Sequence, residues 1–115
     1  MTQVKGMTDQ QLNIAIEVLL GAKVDRVRPG NVLMGNYSYT ARNYSGDPAA
    51  SLEVQAAACK VNPKGYIRNL GTVQNWAAGI IISATEAARL VTATPRQRAE
   101  AAYMTLSQVK ESSQS

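Results

Sequence analysis

Asp47-Pro48 opens a helix. An aspartate at the N-cap takes up an otherwise orphaned amide, and a proline at the first helical position has no amide to satisfy and a φ already close to helical. Two other segments carry comparable signals. Thr8-Asp9-Gln10-Gln11 has capping-box spacing, with Met7 and Leu12 placed for a hydrophobic staple, and Thr94-Pro95-Arg96-Gln97 repeats that logic. In a chain of 115 residues, helix starts near the beginning, middle and end leave room between them for a small sheet. One compact core is the natural count at this length.

Apolar spacing extends each start into an element. Leu12, Ala15, Ile16, Leu19 and Leu20 predict a first helix from Asp9 to Leu20, stopped by Gly21. Ala49, Leu52, Ala56 and Cys59 form one face of a second helix that ends at Asn62-Pro63, and Ala99, Ala102, Tyr103, Leu106 and Val109 mark the third. Lys23 to Met34 reads as a hairpin, because Pro29-Gly30 suits the centre of a type II turn. Asn36 to Gly46 is polar and tyrosine-rich, and reads as an exposed connection. Tyr66 to Leu70 alternates as a strand, with Gly71-Thr72 as a turn and Val73 to Ser83 as its partner, where Ile80 to Ile82 suggests a buried centre. Ala84 to Ala88 is helical in composition but short, and Arg89 to Ala93 is a candidate final strand. The expected class is therefore α/β in composition and α+β in arrangement: a small antiparallel or mixed sheet of about four strands packed with three helices. It occupies residues 1–110 as a single domain, with a frayed tail over 111–115.

The composition argues for binding over catalysis. Histidine is absent, which removes from this chain the commonest general base, the usual hydrolase triads and most zinc sites. Cys59 has only Lys60 beside it as an activating neighbour, and Asp47 and Glu53 point to different sides of one helix. Gly30 to Gly35 lacks the spacing and the lysine of a phosphate-binding loop. No catalytic residue, metal or cofactor is expected. The net charge of +4, from 12 basic and 8 acidic residues with no basic run, permits an anionic partner without demanding one. A single cysteine, and no apolar run long enough to span a bilayer, point to a cytoplasmic protein without a membrane partner.

The start of the third helix is the leading candidate site. First helical turns favour acids, yet this one carries Arg96 and Arg98 and no acid before Glu100. With the Thr94 hydroxyl, and Arg89 shortly before, the arginines form a candidate cradle for phosphate or carboxylate. The alternative is that they salt-bridge to Glu100 or to a partner chain. Tyr37, Tyr39 and Tyr44 with Arg42 and Asn43 either stack against a base or cover the sheet edge, and Trp76 is a pocket wall, an oligomer anchor or core.

The segment from Asn43-Tyr44-Ser45-Gly46-Asp47-Pro48-Ala49-Ala50 to Val54 resembles the phage ABA-sandwich family of small phage proteins. Met7 to Asn13 looks like that family's opening helix, and Ala93 to Ala99 like its last helix start. Departures are Leu52, near which an aromatic is often found, and Val73 to Ala88, which matches poorly. The resemblance implies a sheet between helical layers and a viral accessory origin. The chain is also similar in kind to anti-Thoeris sponge proteins, which sequester cyclic ADP-ribose-type signals. That likeness implies a small phosphorylated nucleotide ligand, sequestered without hydrolysis by a homo-oligomer in the host cytoplasm. The rival expectation is an inhibitor that binds a host defence protein such as a nuclease or a CRISPR complex.

Overall fold

A computed structural model of the chain describes residues 4–75 and 83–113. Within them, a short 3-10 turn (Val4–Gly6) leads to α1 (Asp9–Leu19), then β1 (Lys23–Val24), β2 (Asn31–Met34) and β3 (Tyr37–Thr40). Four helices follow: α2 (Pro48–Val61), α3 (Pro63–Val73), α4 (Ala84–Val91) and α5 (Pro95–Ser113). The class is mixed α+β, with five α-helices and a three-stranded antiparallel sheet among the described residues.

The three expected helix starts form as their residues dictate. Thr8 and Gln11 make a reciprocal capping box at α1, and Asp47 caps α2 by accepting from the Ala49 amide. Thr94 accepts from the Gln97 amide at 3.1 Å while Gln97 accepts from the Thr94 amide at 3.0 Å. At the far end of α1, Gly21 (φ +115°) and Ala22 donate to Val18 and Glu17, the double closure of a Schellman motif.

The hairpin is also present. The Asn31 amide donates to the Arg28 carbonyl at 3.0 Å, and Gly30 at φ +87° holds the left-handed position that a type II turn requires. β2 then pairs with β3, with Met34 opposite Tyr37 and Val32 opposite Tyr39. The connection is Gly35-Asn36, and Gly35 at φ +61° supplies the first position of a type II′ turn, whose twist suits a hairpin. The tyrosine-rich segment is thus a strand for part of its length rather than an exposed connection, and its end, at Tyr44 and Ser45, is buried.

The expected strand at Tyr66 to Leu70 is instead the middle of α3, and Gly71-Thr72 lies inside that helix. Asn62 closes α2 and at once caps α3, its side chain accepting from the Gly65 amide at 3.0 Å, with Pro63 in the first turn. Tyr66, Asn69 and Leu70 then fall on one buried helical face. The candidate strand at Arg89 to Ala93 is helical in α4 as far as Val91. Ser83 and Glu86 form a second reciprocal capping box, which gives α4 the start that its short length needs. Most of the Val73 to Ser83 strand, with Ile80 to Ile82, lies outside the described residues.

The core is built around α5, which packs against α1, α2 and α3. Leu12, Ile16, Val54, Tyr66 and Leu70 are its larger members; α2 and α5 pack on each other, and their buried residues are mostly small, Ala50, Ser51, Val54 and Ala58 on α2 and Ala99, Ala101 and Ala102 on α5. Of the expected face of α2 only Cys59 packs on this core. Ala49, Leu52 and Ala56 are exposed, because small side chains let two helix backbones approach where a leucine would hold them apart. The sheet packs on α1. It therefore stands beside the helical core and not between two helical layers.

Candidate functional site

The last turn of α3, the end of α4 and the start of α5 enclose a cavity of 260 Å³ lined by Gln74, Arg89, Thr92, Thr94 and Gln97. Among the described residues every lining side chain is polar and none is acidic. Gln74 is buried and donates to the Arg89 carbonyl at 2.7 Å and to Gln97 Oε1 at 3.2 Å, so it ties the three helices together. In doing so it covers one of the last carbonyls of α4, a group that would repel an anion. Gln97 Oε1 also accepts from the Thr94 amide, and the Thr92 hydroxyl donates to the Ala88 carbonyl at 2.8 Å. The exposed Arg89 guanidinium makes no hydrogen bond or ion pair among the described residues, and the Gln97 side-chain amide nitrogen donates to none of them. The cavity thus holds two donors free to meet a ligand's acceptors, beside the amino end of α5.

Thr94 and Arg89, of the expected residues, are brought together here. Arg96 and Arg98 are turned elsewhere. The Arg96 guanidinium donates to Asp9 at 2.8 Å, to Glu100 at 2.6 Å, and to the carbonyls of Val4 and Met7 at 3.2 and 2.8 Å. Arg98 donates to Ser51 Oγ at 2.9 Å and to the Ala93 carbonyl. Both side chains therefore join α5 to other parts of the chain, and the Glu100 pairing is the alternative that the sequence left open for Arg96. The helix end is also largely self-satisfied, since Pro95 has no amide and Thr94 takes that of Gln97.

The three tyrosines do not converge. Tyr37 is 75% exposed on the sheet, Tyr39 shares that face and is half-buried, and Tyr44 is only 3% exposed. The Tyr44 hydroxyl donates to Glu17 at 3.0 Å; burial, and then this carboxylate, push its pKa up. Arg42 lies over the Tyr44 ring, 5.8 Å from its centre, and pairs with Glu53, whose carboxyl it holds below its ordinary range. Asn13 accepts from the amide and hydroxyl of Ser45, so α1 fixes this loop from inside. Trp76 lies outside the described residues.

Gln74 and Thr92 carry no sequence motif, and Gln97 carries only that of a helix cap. Uncharged polar residues gain meaning only when helices meet, and the one available signal was the Thr94–Gln97 capping spacing. A second hollow, of 360 Å³, is apolar and lies along Ile14, Val18, Leu19, Val24 and Tyr103. Among the described residues no three His, Cys, Asp or Glu side chains gather as metal ligands, and no helix is long and apolar enough to cross a membrane. Compared with known proteins, the chain matches no family model, no curated protein and no solved structure.

Proposed function

We propose that this protein binds a small phosphorylated, nucleotide-derived signal and holds it without converting it, as a phage-encoded anti-defence sponge does. The observation that carries this reading is the cavity between α3, α4 and α5, where no acidic side chain lines it among the described residues, Arg89 is unpaired among them and Gln97 offers a second donor. A guanidinium offers a planar fork to phosphate oxygens, and threonine hydroxyls and glutamine amides complete a hydrogen-bonding wall. At 260 Å³ the cavity is slightly below the roughly 300–1,000 Å³ of drug-sized sites. It accommodates the phosphate-bearing part of a nucleotide, with the base toward the rim. The reading includes a homo-oligomer and residence in the host cytoplasm.

Isothermal titration with cyclic nucleotides and with cyclic ADP-ribose isomers tests it, with fluorescence of the sole tryptophan, Trp76, as a second signal. Heat from at least one ligand, lost in Arg89→Ala, and recovery of that ligand intact after long incubation are expected. Silence from every ligand removes the reading. A stoichiometric host protein retained from lysate, with no ligand released by heat, replaces it with the inhibitor of a defence protein.

A further inference from the structure

The positive charge of this chain is not spread evenly. Between Glu53 and Glu86 there is no acidic residue, while Lys60, Lys64 and Arg68 all fall in that interval. All three are exposed, and none makes an ion pair or side-chain hydrogen bond among the described residues. Elsewhere the arginines are largely engaged: Arg28 with Asp25, Arg42 with Glu53, Arg96 with Asp9 and Glu100, and Arg98 with Ser51. The outer face of α3 therefore carries charge that nothing within the described chain balances.

Lys64 and Arg68 stand four residues apart on α3, about 6 Å along the axis, and Lys60 lies in the last turn of α2, ahead of the break at Asn62. Thr72 is exposed one turn further on, with its hydroxyl donating to the Arg68 carbonyl at 3.1 Å. The inward face, Tyr66, Asn69 and Leu70, is buried against the core, so this row is what α3 presents to solvent. Val61 is the one large apolar side chain exposed beside these cations among the described residues, whereas a membrane-seeking helix sets a whole apolar stripe there and a protein interface centres on several aromatic or aliphatic anchors. Unpaired cations clustered without acids instead suit a partner that repeats its negative charges, held by phosphate contacts and read little by sequence.

We infer that the outer face of α3, with Lys60, Lys64 and Arg68, is a docking surface for the phosphodiester backbone of a nucleic-acid strand, separate from the cavity at Arg89. The test is fluorescence anisotropy of a labelled single-stranded oligonucleotide over a series of salt concentrations. Three phosphate contacts give a log–log salt slope of about −2, from about 0.7 per contact on single strands. Lys64→Glu with Arg68→Glu should weaken binding at least tenfold and flatten the slope, with the thermal midpoint unchanged. Lys23→Glu with Arg26→Glu, on the hairpin, changes net charge equally and should leave most of the binding, and Arg89→Ala should leave all of it. No binding at low salt overturns the inference. So does equal loss in the hairpin variant, or equal competition by polyglutamate of matched charge.

Discussion

Arg96 and Asp9 meet at 2.8 Å although 87 residues separate them in the chain. The same guanidinium reaches Glu100 and the carbonyls of Val4 and Met7, and its side chain is only 26% exposed. Arg96→Ala should therefore lower stability in urea unfolding by about 2 kcal/mol, by leaving several acceptors unmet. Arg96→Lys should restore little of it, since one ammonium cannot reproduce a planar fork. Asp9→Asn should cost within about 0.5 kcal/mol, because Asp9 is 69% exposed. An unchanged unfolding midpoint in Arg96→Ala would refute a stabilising role for these Arg96 bonds.

Tyr44→Phe removes the hydroxyl that reaches the buried Glu17 carboxylate. Glu17 keeps the Arg42 amide at 3.3 Å and loses its better donor. A loss of about 1–2 kcal/mol in chemical denaturation is expected. Retained stability would show that water replaces the hydroxyl at no cost.

The hairpin should be acid-sensitive through Asp25. Its carboxylate accepts from Ser38 Oγ at 2.6 Å, from the Val27 amide at 2.9 Å and from Arg28, and these bonds, Ser38 first, lower its pKa from 3.8 to about 2. A carboxyl whose folded pKa is depressed stabilises fully above its unfolded value and loses that contribution as pH falls through the folded one. The Val27 and Arg28 amide resonances should thus hold still to about pH 3 and shift below it, with a midpoint at about pH 2. In Asp25→Asn the same resonances should be flat over that range, and a persisting titration would assign it to another group.

Gly65→Ala should not behave as an ordinary helix substitution. Replacing a helical glycine by alanine normally gains up to about 1 kcal/mol. Here the new methyl would stand 2.7 Å from Asn62 Cγ, on the side chain that caps α3. Displacing that cap costs about 1 kcal/mol, so the net change should be close to zero or destabilising. A clear rise in thermal midpoint would show that the cap moves freely.

Local chemistry made the helix starts at Thr8, Asp47 and Thr94 legible, as well as the turn at Pro29-Gly30, because each is complete within four residues. The errors came where one signal serves two elements. Asn62-Pro63 reads as a stop, and it is equally a start, so the residues after it alternate by chance while following helical spacing. Gly35-Asn36 and Ser83-Ala84-Thr85-Glu86 carry equally local signals, a hairpin turn and a capping box. The faces of α2 and the fates of Arg96 and Arg98 were not readable, since Ser51, Asp9 and the Val4 carbonyl reach those arginines only after the helices pack.

α4 supplies Arg89 and neighbours Thr92, yet it has no fully buried residue; Leu90 packs partly on the core and Gln74 holds the Arg89 carbonyl. An element so lightly anchored opens at a free energy well below that of global unfolding, and amide hydrogens report it. One wall of the cavity is therefore the part of the molecule whose order a ligand can change most. Occupancy should register first as slowed deuterium uptake across Ala84–Val91, before any change in the exchange of α5.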